Sequence, residues 1–215
     1  MLKADGKRAS GFTLVELLIV AAIIAILAAI ATPNFLLAQT RSKVARAKAD
    51  LRAIASGVEM YRSDQNRYPP ARTYCAGMQA NQDEHNILPP ELTSPVPYLS
   101  NRYCDVFNGG GREGRRYKYI APGFGWSNEV QTILALWIPR DFPLDGGPST
   151  DIPYFDEQSA PAKWALWSVG PIGPMSFWDS DASHLPVPPR TWYDPTNGTM
   201  SAGVVTRLSN DMMSP

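Results

Sequence analysis

Glu16 is the only ionisable side chain in a run of twenty residues, 12–31, whose other members are Thr13 and Ala, Leu, Ile, Val or Phe. A carboxylate inside so apolar a stretch costs a few kcal/mol on insertion scales, which makes it a functional-site hypothesis by default. It needs a cation or a hydrogen-bond donor, and the span is read as offering none nearby. The plainer reading is a glutamate that snorkels to polar headgroups, because it lies only four residues inside the run. Elsewhere the residues with reactive side chains are sparse. Cys75 and Cys104 are the only cysteines, His85 and His184 the only histidines, and Asp179 and Asp181 form a close acidic pair. No G-x-S-x-G, H-E-x-x-H or P-loop pattern is present, so no catalytic set stands out and the chain reads as a non-enzyme. Cys75, His85 and Cys104 lack the paired spacing of a zinc site.

The elements that must position Glu16 follow from composition. The 215 residues carry 20 basic and 20 acidic side chains, which argues against a polybasic nucleic-acid binder and against a disordered chain. That balance is segregated along the sequence. Residues 1–11 are a polar leader with Lys3, Lys7 and Arg8 against Asp5. Without the leader the side-chain charge is 17 basic against 19 acidic, a net of −2 over 204 residues. The run 12–31 follows, long enough at 1.5 Å per residue to span roughly 30 Å of hydrocarbon. It has no polar face, unlike the core helix of a soluble domain. A basic patch ahead of it favours a cytoplasmic N-terminus, although Arg41, Lys43, Arg46, Lys48 and Arg52 beyond it oppose that orientation.

Helical spacing continues past the run. Val44, Ala47, Leu51, Ile54, Val58 and Tyr61 recur at steps of three and four, with Arg46, Lys48, Asp50, Arg52 and Glu59 on a wet opposite face. Gly57 weakens this helix by about 1 kcal/mol relative to Ala, and Pro33 is expected to kink it. One helix over 12–63 is predicted, apolar all round in its first half and amphipathic in its second. Nineteen of twenty prolines and all six tryptophans lie at or beyond Pro69. There, β-branched and aromatic runs at 117–120, 130–138, 163–169 and 204–208 predict short strands. Glycine-rich turn signals fall at 109–111, 145–148 and 197–198. The fold expected is α+β: a long N-terminal helix packed on a small antiparallel sheet. Its divisions are a leader at 1–11, a transmembrane part at 12–33, an amphipathic part at 34–66 and a globular domain at 67–215.

The junction Lys7-Arg8-Ala9-Ser10-Gly11-Phe12-Thr13-Leu14-Val15-Glu16 closely resembles the cleavage and methylation signal of type IV pilins and type II secretion pseudopilins. The resemblance implies that a membrane peptidase cuts after Gly11 and methylates the new amine of Phe12. It also implies that Glu16, then fifth in the mature chain, sets filament register by meeting a neighbouring subunit's amine. Pro33 and Phe35 match the family's kink region. Residues 34–46, 49–52, 59–62 and 66–70 look like the helix of major pseudopilins, and 92–99 and 193–199 resemble segments common in them. Strong resemblance covers about residues 8–70.

What the resemblance implies is a pilin-like filament subunit, best read as a type II secretion pseudopilin that serves protein export. The alternative within the class is a type IV pilin for adhesion, motility or DNA uptake. A second alternative is a secreted or anchored binding module or enzyme whose ordinary signal peptide ends at Ala29-Ile30-Ala31, leaving Thr32 as the first residue. Implied partners are other copies, minor pseudopilins, the prepilin peptidase, and an inner-membrane platform with its ATPase; nucleic acid is not among them. The protein would cross the bacterial inner membrane once, with its C-terminal domain outside. In that compartment Cys75 and Cys104 could bridge, closing a loop worth roughly 3–4 kcal/mol; two unbridged thiols are the alternative. The family's calcium loop corresponds to 168–173 and the Asp179, Asp181 pair, whose oxygens suit calcium. There the family's aspartate is replaced by Pro171-Ile172, and solvated carboxylates are the alternative reading.

Overall fold

A computed structural model describes residues 12–73, 87–100, 103–107, 117–143, 151–171, 192–196 and 203–213. The chain divides into two compact units between Gln39 and Thr40. One helix, α1 (Leu14–Gln65), contributes to both. It is two residues shifted from the predicted span, and Pro33 lies inside it.

In the first unit α1 is bare. Leu14, Leu17, Ile23, Ile26 and Ile30 are all more than half exposed. This helix is long and apolar enough to cross a membrane by length and composition. Pro33 has no N–H to give the carbonyl of Ala29. The side chains on either side of it turn back onto the helix. Thr32 Oγ1 donates to the Ala28 carbonyl at 2.7 Å and Asn34 Nδ2 to the Ile30 carbonyl at 3.2 Å. Polar groups in an apolar surrounding are thereby satisfied within the helix itself.

In the second unit the predicted stripe is the buried face. Val44, Ala47, Leu51, Ile54, Val58 and Tyr61 are buried, joined by Ala55 and Gly57. Helical periodicity brings them to one side, where apolar area leaves water at about 25 cal/mol per Å². Gly57 has a packing reason to lack a side chain. A Cβ there would sit 2.5 Å from Leu99 Cδ2 and 3.3 Å from the Tyr98 carbonyl oxygen. The helix ends at Asn66, whose φ of 58° is the left-handed C-terminal geometry, with its N–H on the Arg62 carbonyl at 3.0 Å.

As the α+β reading expects, the helix packs on small, mostly antiparallel sheet; the described residues form eight short strands in three sheets. The first joins β1 (Ala71–Thr73), β3 (Gly123–Ser127) and β4 (Val130–Leu134). In it β1 runs parallel to β3, with Ala71 opposite Gly125. A Cβ on Gly125 would lie 2.6 Å from the Ala71 carbonyl oxygen, so only glycine permits this approach. Asn128 and Glu129, both with positive φ, turn β3 into β4. The second sheet is antiparallel: β2 (Lys118–Ile120), β7 (Ala165–Ser168) and β8 (Val205–Leu208). The third pairs β5 (Leu136–Pro139) with β6 (Asp151–Tyr154). A 3₁₀ turn lies at Pro90–Leu92. Leu51, Ile54 and Val58 of α1 share one apolar cluster with Tyr117, Tyr119, Trp164, Leu166 and Leu208. The predicted strands 117–120, 163–169 and 204–208 are β2, β7 and β8 with slightly shorter bounds. The run 130–138 is split at Ala135 into β4 and β5, which belong to different sheets. The three turn signals at 109–111, 145–148 and 197–198 lie outside the described residues.

Candidate functional site

The N-terminal end of α1 carries the site. Thr13 precedes the first helical residue, and Glu16 stands in the first turn. The Thr13 N–H donates to Glu16 Oε2 at 2.9 Å, and the Thr13 hydroxyl donates to the same oxygen at 2.8 Å. In return the Glu16 N–H reaches Thr13 Oγ1 at 3.3 Å. This is a reciprocal capping box, which satisfies two helix-end donors and sets a carboxylate against the positive end of the helix dipole. It corrects the sequence reading that the span offers Glu16 no partner. The T-x-x-E spacing ahead of an apolar run was the signal for it. Phe12 is 76% exposed immediately before this cap. Gly11 lies outside the described residues.

What remains open on Glu16 defines what it can do. Both bonds from Thr13 use Oε2, and a carboxylate has about four acceptor positions over two oxygens. An ammonium group arriving at Oε1 would find an exposed, charge-assisted acceptor on a rigid helix end.

The amphipathic half of α1 is tied to the globular region by polar contacts that the sequence did not reveal. Asp50 and Glu59, read as wet-face residues, each take a long-range donor. The Tyr117 hydroxyl donates to Asp50 Oδ2 at 2.9 Å, and Trp164 Nε1 donates to Glu59 Oε1 at 2.7 Å. Burial, followed by the Asp50 bond, pushes the Tyr117 phenol well above the ordinary tyrosine range. Tyr68 is pushed up to about 12, mainly by burial and then by the Glu59 charge. Arg62 pairs with Glu157 at 2.7 Å and lies over the Tyr68 ring at 5.5 Å.

Asp105 forms a second tie. It is 6% exposed. Its Oδ1 accepts from the Ser168 hydroxyl at 2.7 Å and the Phe107 N–H at 3.0 Å, and its Oδ2 from the Val169 N–H at 2.8 Å. Burial raises its carboxyl above the ordinary aspartate range, against the opposing pull of these bonds and the Lys118 charge. Asp105 therefore fastens the 103–107 segment to the end of β7, where the 168–173 loop begins.

Asp179 and Asp181, the candidate calcium ligands, lie outside the described residues, as does Cys75. Cys104 is exposed. At the start of the candidate calcium loop, the Ser168 hydroxyl and the Val169 N–H are already committed to Asp105. Among the described residues no three His, Cys, Asp or Glu side chains gather as a metal site.

Comparison with known proteins bears on this arrangement. Residues 6–32 match the prokaryotic N-terminal methylation motif, and residues 34–132 match the type II secretion system protein G family. The type II secretion system core protein G of Pseudomonas aeruginosa is 33% identical over 118 residues, covering 54% of this chain and 77% of that relative. The core protein G of Aeromonas hydrophila is 38% identical over 118 residues, covering 54% and 76%. The type IV major pilin protein PilA of Myxococcus xanthus is 52% identical over 61 residues, 28% of each chain. No solved structure matches the chain. With a bare apolar helix, a capped carboxylate at its start, an amphipathic continuation on small sheets and these relatives, the chain belongs to the type II secretion system protein G family of pilin-like proteins.

Proposed function

We propose that the protein is a structural, non-enzymatic subunit of a pilin-like filament, a pseudopilin that serves protein export. The observation that carries this reading is the Thr13–Glu16 cap at the head of an unburied apolar helix. Cleavage after Gly11 would leave an amine on Phe12, next to that cap. A methylated Phe12 ammonium from one copy and the Glu16 carboxylate of another form a pair at a fixed axial step. Excluding water strengthens their attraction, although desolvation offsets much of it, so the pair selects register more than it adds stability. The apolar side chains from Leu14 to Ile30 then exchange lipid for neighbouring helices as copies stack.

The protein is held in the cytoplasmic membrane by α1, with the globular region on the outer side. Processing falls to a prepilin peptidase, and extraction from the membrane to a platform protein and its ATPase. Minor pseudopilins complete the filament. A pilin role in adhesion, motility or DNA uptake is the second reading, and the 52% identity to the Myxococcus pilin over 61 residues favours it. Deleting the gene separates the two: loss of exoprotein release marks export, and loss of surface fibres with normal release marks a pilin.

Intact mass and N-terminal sequencing of the native protein test the common ground. A mature chain starting at N-methylated Phe12 is expected. A chain starting at Thr32 would refute the filament reading in favour of an ordinary signal peptide.

A further inference from the structure

Five basic side chains of α1, Arg41, Lys43, Arg46, Lys48 and Arg52, stand outside its buried stripe; Lys48 is half-buried and the others are exposed. Helical periodicity sets Arg41, Lys48 and Arg52 along one flank, at spacings of seven and four residues, and Lys43 and Arg46 along the other. Between the two flanks lie Ser42, Ala45, Ala49 and Ser56, all exposed and all small.

Among the described residues no ion pair neutralises this face. The ion pairs among the described residues join Arg62 with Glu157, Arg72 with Glu91, and Arg207 with Asp211. Asp50, the one acidic residue within 41–52, is engaged by the Tyr117 hydroxyl. Lys48 and Arg52 are one helical turn apart, and burial together with the Arg52 charge makes the Lys48 ammonium easier to lose. Like charges at this spacing weaken a helix, and basic residues beyond a membrane span also oppose its outward orientation. A feature unfavourable in the isolated chain on both counts needs a partner of opposite charge.

The chain itself carries that opposite charge. Residues 41–52 hold five basic side chains and one acidic, a net of +4, whereas residues 53–215 hold twelve basic and seventeen acidic, a net of −5. We propose that the basic face of α1 docks on the acidic globular region of a second copy. The inference rests on the filament reading and specifies one of its contacts. A basic face meeting a different, acidic face is a heterologous contact, which propagates into an open filament instead of closing into a dimer. The row of small side chains lets the partner surface approach while the long cations on either side reach around it. An anionic lipid surface would offer the same charge but no such repeating fit.

A zero-length carbodiimide tests the contact, because it joins an amine to a carboxylate only where the two touch. Sheared wild-type filaments are expected to give a ladder of cross-linked dimers and higher species. The ladder should be at least fivefold weaker in Lys43→Arg/Lys48→Arg, which keeps the charge, removes the amines of this face and still assembles. Arg46→Glu/Arg52→Glu should yield at least tenfold fewer filaments, with normal N-terminal processing by mass and an unchanged far-ultraviolet spectrum. An undiminished ladder from the lysine variant overturns the proposal. So does wild-type filament yield from the arginine variant, or an arginine variant that loses only its binding to phosphatidylglycerol vesicles. Absence of filaments from correctly processed wild-type protein overturns the filament reading itself, a result the variants cannot mimic.

Discussion

Removing the Asp105 carboxylate tests whether a buried polar tie, and not apolar packing alone, holds the 103–107 segment to β7. In Asp105→Ala three donors lose their acceptor. The Ser168 hydroxyl can rotate toward another acceptor, and the Phe107 N–H is only partly buried, so water can reach it. The Val169 N–H is buried and has no such recourse; an orphaned buried donor costs about 1–3 kcal/mol. Adding about 1 kcal/mol for the hydroxyl and subtracting the relief of an unfavourably buried carboxylate leaves a loss of about 2–3 kcal/mol. At about 2–4 °C per kcal/mol for a chain of this size, the melting temperature should fall by about 4–12 °C. Near-ultraviolet circular dichroism of the full chain in detergent micelles measures it. The pH dependence supplies a second reading. The folded carboxyl titrates above its ordinary value of 3.8, so its contribution is fully present below 3.8 and is lost as pH rises through the raised value. The stability gap between wild type and Asp105→Asn should therefore narrow from acid toward neutral pH. A change under 1 °C in the alanine variant, or a gap that widens with pH, would refute the reasoning.

Glu16→Ala should leave cleavage after Gly11 intact while cutting filament yield more than tenfold; ordinary yield would remove Glu16 from its assigned role. Leu51, with no exposed surface in the core, should cost about 2–5 kcal/mol as Leu51→Ala, read from the same melting curve. Gly125→Ala should destabilise by about 1–3 kcal/mol through overpacking of β1 on β3, because its new Cβ would press on the Ala71 carbonyl; a neutral result would mean that β1 is free to shift. Of the nine tyrosines, Tyr68, Tyr117 and Tyr119 have raised phenol values, Tyr68 to about 12. Their stabilisation is present below pH 10 and is lost as pH rises through those values. Absorbance at 295 nm should show at least three tyrosines un-ionised at pH 11 while the fold persists, and ionisation of all nine near pH 10 before unfolding would contradict their burial.

The parts of this fold legible in the sequence were those with a strong period. The stripe from Val44 to Tyr61 became the buried face because a helix can present such spacing on only one side. Strands β2, β7 and β8 were legible from their aromatic and β-branched content. Strands β1, β3 and β6 were not. Three residues after a proline pair, a strand with two glycines, and one containing Pro153 all lack the local preference that marks a strand. Their pairing is decided by tertiary contact, as in the parallel match of Ala71 to Gly125. Within the site, Glu16 stood out because its surroundings are uniformly apolar. Its Thr13 partner is legible only as the T-x-x-E spacing ahead of the apolar run. Asp105 carried no local signal, since its hydrogen-bond partners Ser168 and Val169 are 63 and 64 residues away.

The helix-end cap is independent of the bond after Gly11. It draws only on the backbone N–H and hydroxyl of Thr13 and on Glu16, all of which lie beyond the bond after Gly11. Cutting that bond would thus create a positive charge without redefining where the helix begins. The shape of the assembling end would be settled before the peptidase acts, and its chemistry afterwards. Proteolysis would then act as a change of charge on an already formed scaffold, so the precursor and the mature subunit would differ in what they attract and not in how they are folded.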